Sequence, residues 1–333
     1  MRSFGSSNGL ISVWTLCACA LLFSYGAISQ PAAAQSPYPS RPIRIIVGPS
    51  PDVFSRIIGE HLQEVWKQPV VVEPRPGGGG KLAVAAVTGT RPDGHTLLFA
   101  TPTFTLATAM RLATYDFAKD FSPAALMGVI AYTMVVHPSV QANSVAELVA
   151  LAKQKPGEIN CGSAGYGTVP HLACETFNKV AGVQVVHIPY NSVNAAMFGV
   201  MGSQVQMFVA VSTVAKQQIA AGTVRGLAVT TAQRSVLLPQ LPTLAESGFP
   251  TFVMPGWGGL MAPAGTPKPI LDKINAEVQR AVQDPKVAEK LLAVGMEPPP
   301  AMPADAFADF IKQDIARWTG MVDAVGLEKL KEQ

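Results

Sequence analysis

The stretch Cys161-Gly-Ser-Ala-Gly-Tyr-Gly-Thr-Val-Pro-His171 decides how this chain is parsed. A short apolar-alternating segment, Ile159 to Cys161, runs into it, and a helical pattern runs out of it to about Ala181. Its three glycines permit positive φ and bring backbone amides close together. Thr168 suits an N-cap, and Pro170 in the first turn removes a donor that the helix has no use for. A glycine-rich turn feeding a helix presents free N–H groups at the positive end of the helix dipole, which suits an anion. A plain strand-to-helix turn has the same composition, so this stretch by itself leaves both readings open.

On its N-terminal side, β-branched and apolar runs alternate with helical spacing. Ile43 to Val47 reads as a strand buried on both faces, and Val53 to Val65 as a helix capped by Asp52. Further strands follow at Pro69 to Val72, Thr96 to Ala100 and Tyr132 to Val136. On the C-terminal side, strands at Gln184 to Ile188, Val205 to Ala210 and Val224 to Val229 are again separated by helices. Beyond Thr266 the pattern is helical only. Strand-helix alternation predicts parallel sheets with right-handed crossovers. The chain divides into two α/β lobes with the second inserted in the first: residues 35–137 and 258–333 form lobe 1, and residues 138–257 form lobe 2.

Composition narrows the function. With 333 residues, a net charge of +3 and 14% charged residues, nothing suggests a nucleic-acid surface. Arg2, the apolar run Leu10 to Ile28 and the small residues Ala32-Ala33-Ala34 read as a signal peptide over residues 1–34, better than as a membrane anchor or as a lipoprotein signal at Leu16-Cys17-Ala18-Cys19, which Cys17 fits poorly. The expected location is periplasmic. Cys161 and Cys174 then remain, and although export permits pairing, a chain this large needs no staple. The expectation is two buried free thiols.

In open parallel sheets, ligands bind beyond the C-terminal ends of strands. Four such ends carry small or hydroxylated residues: Pro49 and Ser50, Thr101 and Thr103, Ser163 to Thr168, and Tyr190 with Asn191. A cleft lined by hydroxyls and amides, without charge of its own, suits a small carboxylate. His171, on the first turn of the helix, is read equally as a donor to that oxyanion and as a structural histidine. Enzyme readings fit worse. Cys161 stands where the nucleophile elbow G-x-S-x-G needs its first glycine, and no triad order follows, so catalysis by Ser163 with His171 is not expected. The five histidines lack metal-ligand spacing, and neither a metal nor a cofactor is expected. Gly77 to Gly80 lacks the Lys-Ser/Thr pair of a phosphate loop.

The motifs in order are similar to the Bug (TctC-type) family of periplasmic solute-binding proteins. They include Tyr38-Pro-Ser-Arg-Pro-Ile43, Arg75-Pro-Gly-Gly-Gly-Gly80, Arg91-Pro-Asp-Gly94, Tyr115-Asp-Phe-Ala-Lys-Asp-Phe121, Ser163-Ala-Gly-Tyr-Gly-Thr168, His187-Ile-Pro-Tyr190 and Leu260-Met-Ala-Pro-Ala-Gly-Thr-Pro267. The resemblance implies a type II periplasmic-binding-protein (Venus-flytrap) fold. It further implies a monomer that captures a small organic acid and delivers it to the membrane permease subunits of a tripartite tricarboxylate transporter. A ligand-sensing protein that signals to a membrane sensor is the alternative. Carried over by position, the ligand-binding set is Pro49, Ser50, Thr101, Thr103, Ser163, Ala164, Gly165, Gly167, Thr168, His171, Tyr190, Asn191 and Ala210. Two departures stand out. The first-lobe loop Val47-Gly-Pro-Ser-Pro-Asp52 is shorter than the family's and lacks its glycine pair. Ala210 stands where amino-acid-binding members place an Asp, so the expected ligand is a mono- or dicarboxylic acid, aromatic or not, without an ammonium group.

Overall fold

The computed structural model of the chain describes residues 38–326, apart from 49–51, 76, 78–79 and 300. The signal peptide expected over residues 1–34, and the candidate ligand residues Pro49 and Ser50, lie outside the described residues. From Pro39 onward the chain forms one unit.

Its elements are β1 (Ile43–Val47), α1 (Val53–Trp66), β2 (Val70–Pro74), α2 (Lys81–Thr88), β3 (Thr96–Ala100), α3 (Pro102–Ala109), α4 (Phe117–Asp120) and β4 (Phe121–Ile130). There follow β5 (Tyr132–Val136), α5 (Val145–Gln154), β6 (Ile159–Ser163), α6 (Val169–Ala181), β7 (Val185–Pro189), α7 (Val193–Met201), β8 (Met207–Val211), α8 (Ser212–Ala220) and β9 (Arg225–Val229). The chain closes with β10 (Gly256–Pro263), α9 (Lys268–Gln283), α10 (Pro285–Ala293), β11 (Met296–Glu297) and α11 (Ala304–Val325).

Two sheets result, in strand orders β11-β4-β10-β3-β1-β2 and β7-β6-β8-β5-β9. The second is built wholly from residues between β4 and β10, so the second lobe is inserted in the first, as the two-lobed reading required. β1 pairs in parallel with β2 and β3, and β6 with β7 and β8. The sheets are nonetheless mixed. β4 and β10 pair antiparallel with each other, and β5 pairs antiparallel with β8 and β9.

This moves the lobe boundary. β5, expected in lobe 1, belongs to the second sheet, and β10 belongs to the first from Gly256 onward. The chain crosses at Ala131, the single residue between β4 and β5, and returns just before Gly256. The divisions after 137 and 257 are therefore corrected to Ala131 and Pro255. β4 and β10 escaped notice because their sequences carry poor strand signals: Phe121-Ser-Pro opens one, and Gly256-Trp-Gly-Gly opens the other. Packing supplies the missing logic. A Cβ on Gly258 would sit 2.4 Å from Met296 Cε and 2.9 Å from Phe99 Cζ, and one on Gly259 would sit 2.5 Å from Phe307 Cζ. The glycines let side chains from neighbouring elements close over the sheet.

The last helix differs from expectation as well. Phe307 and Ile311 of α11 pack into the first-lobe core with Ile46, Leu98 and Phe104. Trp318 and Val322 of the same helix pack with Met134, Leu172 and Val209 of the second lobe. α11 thus spans both lobes instead of folding back on lobe 1 alone. No helix among the described residues is long and apolar enough to cross a membrane.

Candidate functional site

β6 ends at Ser163, and the next five residues form a loop before α6 starts at Val169. Gly165 and Gly167 take φ of +111° and +75°, values that a side chain would resist. The expected Thr168 cap is different in kind. Its backbone is extended, as an N-cap requires, but its hydroxyl donates to the Gly165 carbonyl at 2.7 Å and leaves the helix amides alone.

Side chains brace the loop from beneath. The Gly165 N–H donates to Ser163 Oγ at 3.0 Å, and the Gly167 N–H donates to His171 Nδ1 at 3.2 Å. Ser163 Oγ lies 2.6 Å from Nε2 of His187, which sits on β7 opposite Cys161, two residues short of Ser163's own level. Alternation along β7 puts His187 on the same face as Cys161 and Ser163, where α6 covers the sheet. The two imidazoles stack with centroids 4.2 Å apart, and Tyr166 meets both edge-on at 5.2 and 5.1 Å. His171 is buried, whereas Tyr166 is 70% exposed. Burial lowers both imidazoles to about 4, with the nearby His187 adding to the effect on His171.

This arrangement leaves a specific set of donors. The odd-numbered amides, Gly165 and Gly167, are used internally. The amides of Ala164, Tyr166 and Thr168 have no hydrogen-bond partner among the described residues, and they stand beside the first turn of α6. No charged side chain belongs to the loop itself. Three or more N–H groups at a helix N-terminus are what a carboxylate needs.

A disulfide locks this region from behind. Cys161 and Cys174 are bonded, with Cα atoms 6.1 Å apart, joining β6 to α6 on either side of the loop. The expectation of two free thiols is overturned: β6 and the second turn of α6 lie at bonding distance because the loop folds α6 directly back over the strand.

The remaining sequence-predicted residues divide. Thr101 is the buried N-cap of α3 and Thr103 lies half-buried in its first turn, at the C-terminal end of β3. Beside them, Gly80 takes φ of +95°, and a Cβ there would meet Phe104 at 2.7 Å. Tyr190 donates its N–H to the Ser163 carbonyl at 2.9 Å, but its phenol turns to the opposite face. That ring fills the space above Gly162 and Gly199, and its hydroxyl reaches Gln204 at 3.4 Å. Asn191 is exposed. Ala210 is fully buried among Ala196, Met197 and Phe208, so its methyl lines core and not a surface. The two lobes meet at the loop: a Cβ on Gly167 would lie 3.3 Å from Leu112 Cδ1 and 3.7 Å from Met110 Sδ, both just past α3.

His187, Tyr166 and Glu175 were absent from the sequence-based set. The signals were present: His171 and Glu175 are spaced i,i+4 on one helix face, and His187 alternates with Val185 on β7. Ligand atoms of His171, Glu175 and His187 all lie within 4.8 Å of one another, although the histidines seemed scattered in sequence. Their lone pairs do not converge on a metal, however. One ring nitrogen of each histidine is engaged by the loop, and stacked rings tilted by only 33° aim their in-plane lone pairs past a common point. Elsewhere, a cavity of about 480 Å³ opens between α8 and α10, lined by Lys216 and Glu289 among others. None of the sequence-predicted residues borders it.

Comparison with known proteins gives a consistent pattern. The family model described as "Tripartite tricarboxylate transporter family receptor" matches residues 54–327. Protein BugT of Bordetella pertussis is 33% identical over 318 residues, covering 93% of this chain and 97% of that protein. Among solved structures, an R. palustris protein with adipate superposes with a TM-score of 0.79 at 29% identity, covering 87% of this chain and 98% of that one. MatC from Rhodopseudomonas palustris, with bound malate, gives 0.75 at 27% identity and covers 86% of this chain and all (100%) of that one.

Proposed function

Since the chain belongs to the tripartite tricarboxylate transporter receptor family, we propose that it is a periplasmic solute-binding protein. It captures a small organic carboxylate between its lobes and delivers it to the membrane permease subunits of a tripartite transporter. One observation carries this reading: the amides of Ala164, Tyr166 and Thr168 stand unpaired on a loop whose other amides are tied down, at the N-terminus of α6. Rigid donors cost little ordering entropy when an anion arrives. The adipate and malate held by the two solved relatives agree in chemical class.

The ligand is a mono- or dicarboxylic acid, aliphatic or aromatic, and not an amino acid. Neither the loop nor Ala210 offers a carboxylate to an ammonium group, and an unpaired ammonium in a closed cleft is costly. Thr101 and Thr103 supply the first-lobe side, and closure of the lobes on the ligand selects the form that docks to the permease.

A thermal-shift screen of aliphatic dicarboxylates, aromatic acids and amino acids tests this. A ligand that binds only the native state raises Tm, by an amount equivalent to roughly 2.7 kcal/mol at a hundredfold excess over Kd. Acids are expected to shift Tm and amino acids are not. Folded protein that responds to no carboxylate would sink the reading.

A further inference from the structure

The lone pairs beneath the loop are arranged in a way that simple bracing does not require. His171 Nδ1 accepts from the Gly167 N–H, so that nitrogen carries no proton. Ser163 Oγ already accepts from the Gly165 N–H, so its own proton is free to be given away. It can give that proton to His187 Nε2 at 2.6 Å, or to the Gly165 carbonyl at 3.3 Å while its second lone pair accepts from a protonated His187 Nε2. His171 therefore turns a bare Nδ1 toward the loop, and His187 meets Ser163 through Nε2 in either tautomer.

The surroundings give a positive charge little support. From β7 and α6, the two rings face each other at 4.2 Å. From α6, Glu175 Oε1 stands 3.9 Å from His171 Nε2, beyond hydrogen-bonding distance. From the loop, Tyr166 lies beside the stack, nearly perpendicular to both rings. From the first lobe, Met110 and Leu112 approach Gly167 with their apolar ends, and Arg111 lies between them in sequence.

We propose that the His171–His187 pair is a proton-operated latch on the Gly-rich loop. Protonating His171 turns the acceptor of the Gly167 amide into a donor, whereas Ser163 can turn its proton to the Gly165 carbonyl and accept from a protonated His187, whose charge then presses on His171 from 4.2 Å. Two donors then oppose each other, the loop leaves its braced shape, and the aligned amides of Ala164, Tyr166 and Thr168 are lost to the ligand. Carboxylate affinity consequently falls in acid by more than ligand protonation explains. The latch rests on the reading of this loop as the carboxylate site.

Desolvation sets the range over which it works. Both rings are lowered to about 4, so the latch is shut at neutral pH and opens on strong acidification. Glu175 is held above the ordinary carboxylate range by burial, so it loses its charge early in the same descent and supplies little compensation.

Nitrogen-15 NMR of the full mature protein from pH 7.5 to 4.0 tests the latch without any ligand. At pH 7.5, His171 is expected as the Nε2–H tautomer. Both rings should titrate well below 6.5, with the Gly165 and Gly167 amides shifting at the same midpoints. Protection of the Gly167 amide, relative to its intrinsic exchange rate at each pH, should fall at least tenfold, while Leu260 in the buried strand β10 stays protected. Rings that titrate normally, loop amides that ignore the rings, or Leu260 opening together with the loop would each overturn the proposal. The double variant His171→Asn, His187→Gln keeps an acceptor near each position and cannot titrate, so its loop amides should not respond to pH. Adipate and malate affinities at pH 7.5 and 4.0 form a separate arm, with a loss of about twofold or more beyond that from ligand protonation expected in the native protein and not in the variant. Absence of binding at pH 7.5 counts against the carboxylate reading, while the NMR result alone decides the latch.

Discussion

Trp257 and Trp318 donate their indole N–H groups to the same oxygen, Asp314 Oδ2, each at 2.9 Å. Thr105 donates to that oxygen too, at 2.6 Å, and Arg317 pairs with the other oxygen of the carboxylate. Asp314 is 2% exposed. One buried carboxylate thus ties α3, β10 and the middle of α11, the helix that reaches from one lobe's core into the other.

Replacing Asp314 with Ala would orphan two indole N–H groups, take the carboxylate from the Arg317 guanidinium, and leave Thr105 only the Pro102 carbonyl at 3.1 Å. An unsatisfied buried donor costs about 1–3 kcal/mol, so a total loss of about 3 kcal/mol or more is expected from urea unfolding. A change under about 1 kcal/mol would show that water replaces the carboxylate.

The disulfide closes a short loop, with a sequence separation of 13. Constraint of the unfolded chain by a loop of this size is worth about 3 kcal/mol in the chain-entropy model. The Cys161→Ala, Cys174→Ala variant should unfold at lower denaturant concentration, and hydrogen exchange at Gly165 and Gly167 should quicken. Unchanged exchange in the loop would mean that its own hydrogen bonds hold it without the staple.

Stability should fall on mild acidification. His171 and His187 are lowered to about 4 in the native state, against roughly 6.5 in the unfolded chain. Between those values the unfolded state takes up protons that the native state refuses, so stability present above pH 6.5 is lost as pH drops toward 4. Urea midpoints at pH 7.5 and 5.0 should differ in that direction, and the His171→Asn, His187→Gln variant should flatten the difference. Equal flattening by substitution of an exposed residue such as Lys155 would show that net charge, not these rings, drives it.

Gly259→Ala should be poorly tolerated. Its Cβ would meet Phe307 Cζ at 2.5 Å and the Ala125 carbonyl at 2.9 Å, and the backbone oxygen has little freedom to give way. Overpacking of this kind costs about 1–3 kcal/mol. Gly265, with open space around it but φ of +82°, is the useful comparison: alanine there suffers backbone strain without collision.

Much of the architecture was legible along the chain. Apolar and β-branched runs marked β1, β3, β5, β7, β8 and β9. What escaped were the elements whose identity is set by partners. β4 and β10 join the first sheet through antiparallel pairing despite proline and glycine, and those glycines make room for Phe99, Met296 and Phe307. β5 looked like the end of one lobe because its sequence carries no sign of which sheet accepts it.

The candidate site divides along the same line. From the sequence alone, local chemistry determined the strand-turn-helix at 161–171, its positive-φ glycines and its supply of amides, because each depends on residues adjacent in the chain. Only the tertiary structure decided which amides are free. His187 arrives from β7 to engage Ser163, His171 turns back from α6 to hold Gly167, and Cys174 reaches Cys161. It also laid the half-buried Tyr190 ring against the core and buried the Ala210 methyl within it. Alternation on a strand and the closure of a helix over a sheet bring together residues far apart in sequence, and no local pattern encodes which of them will meet.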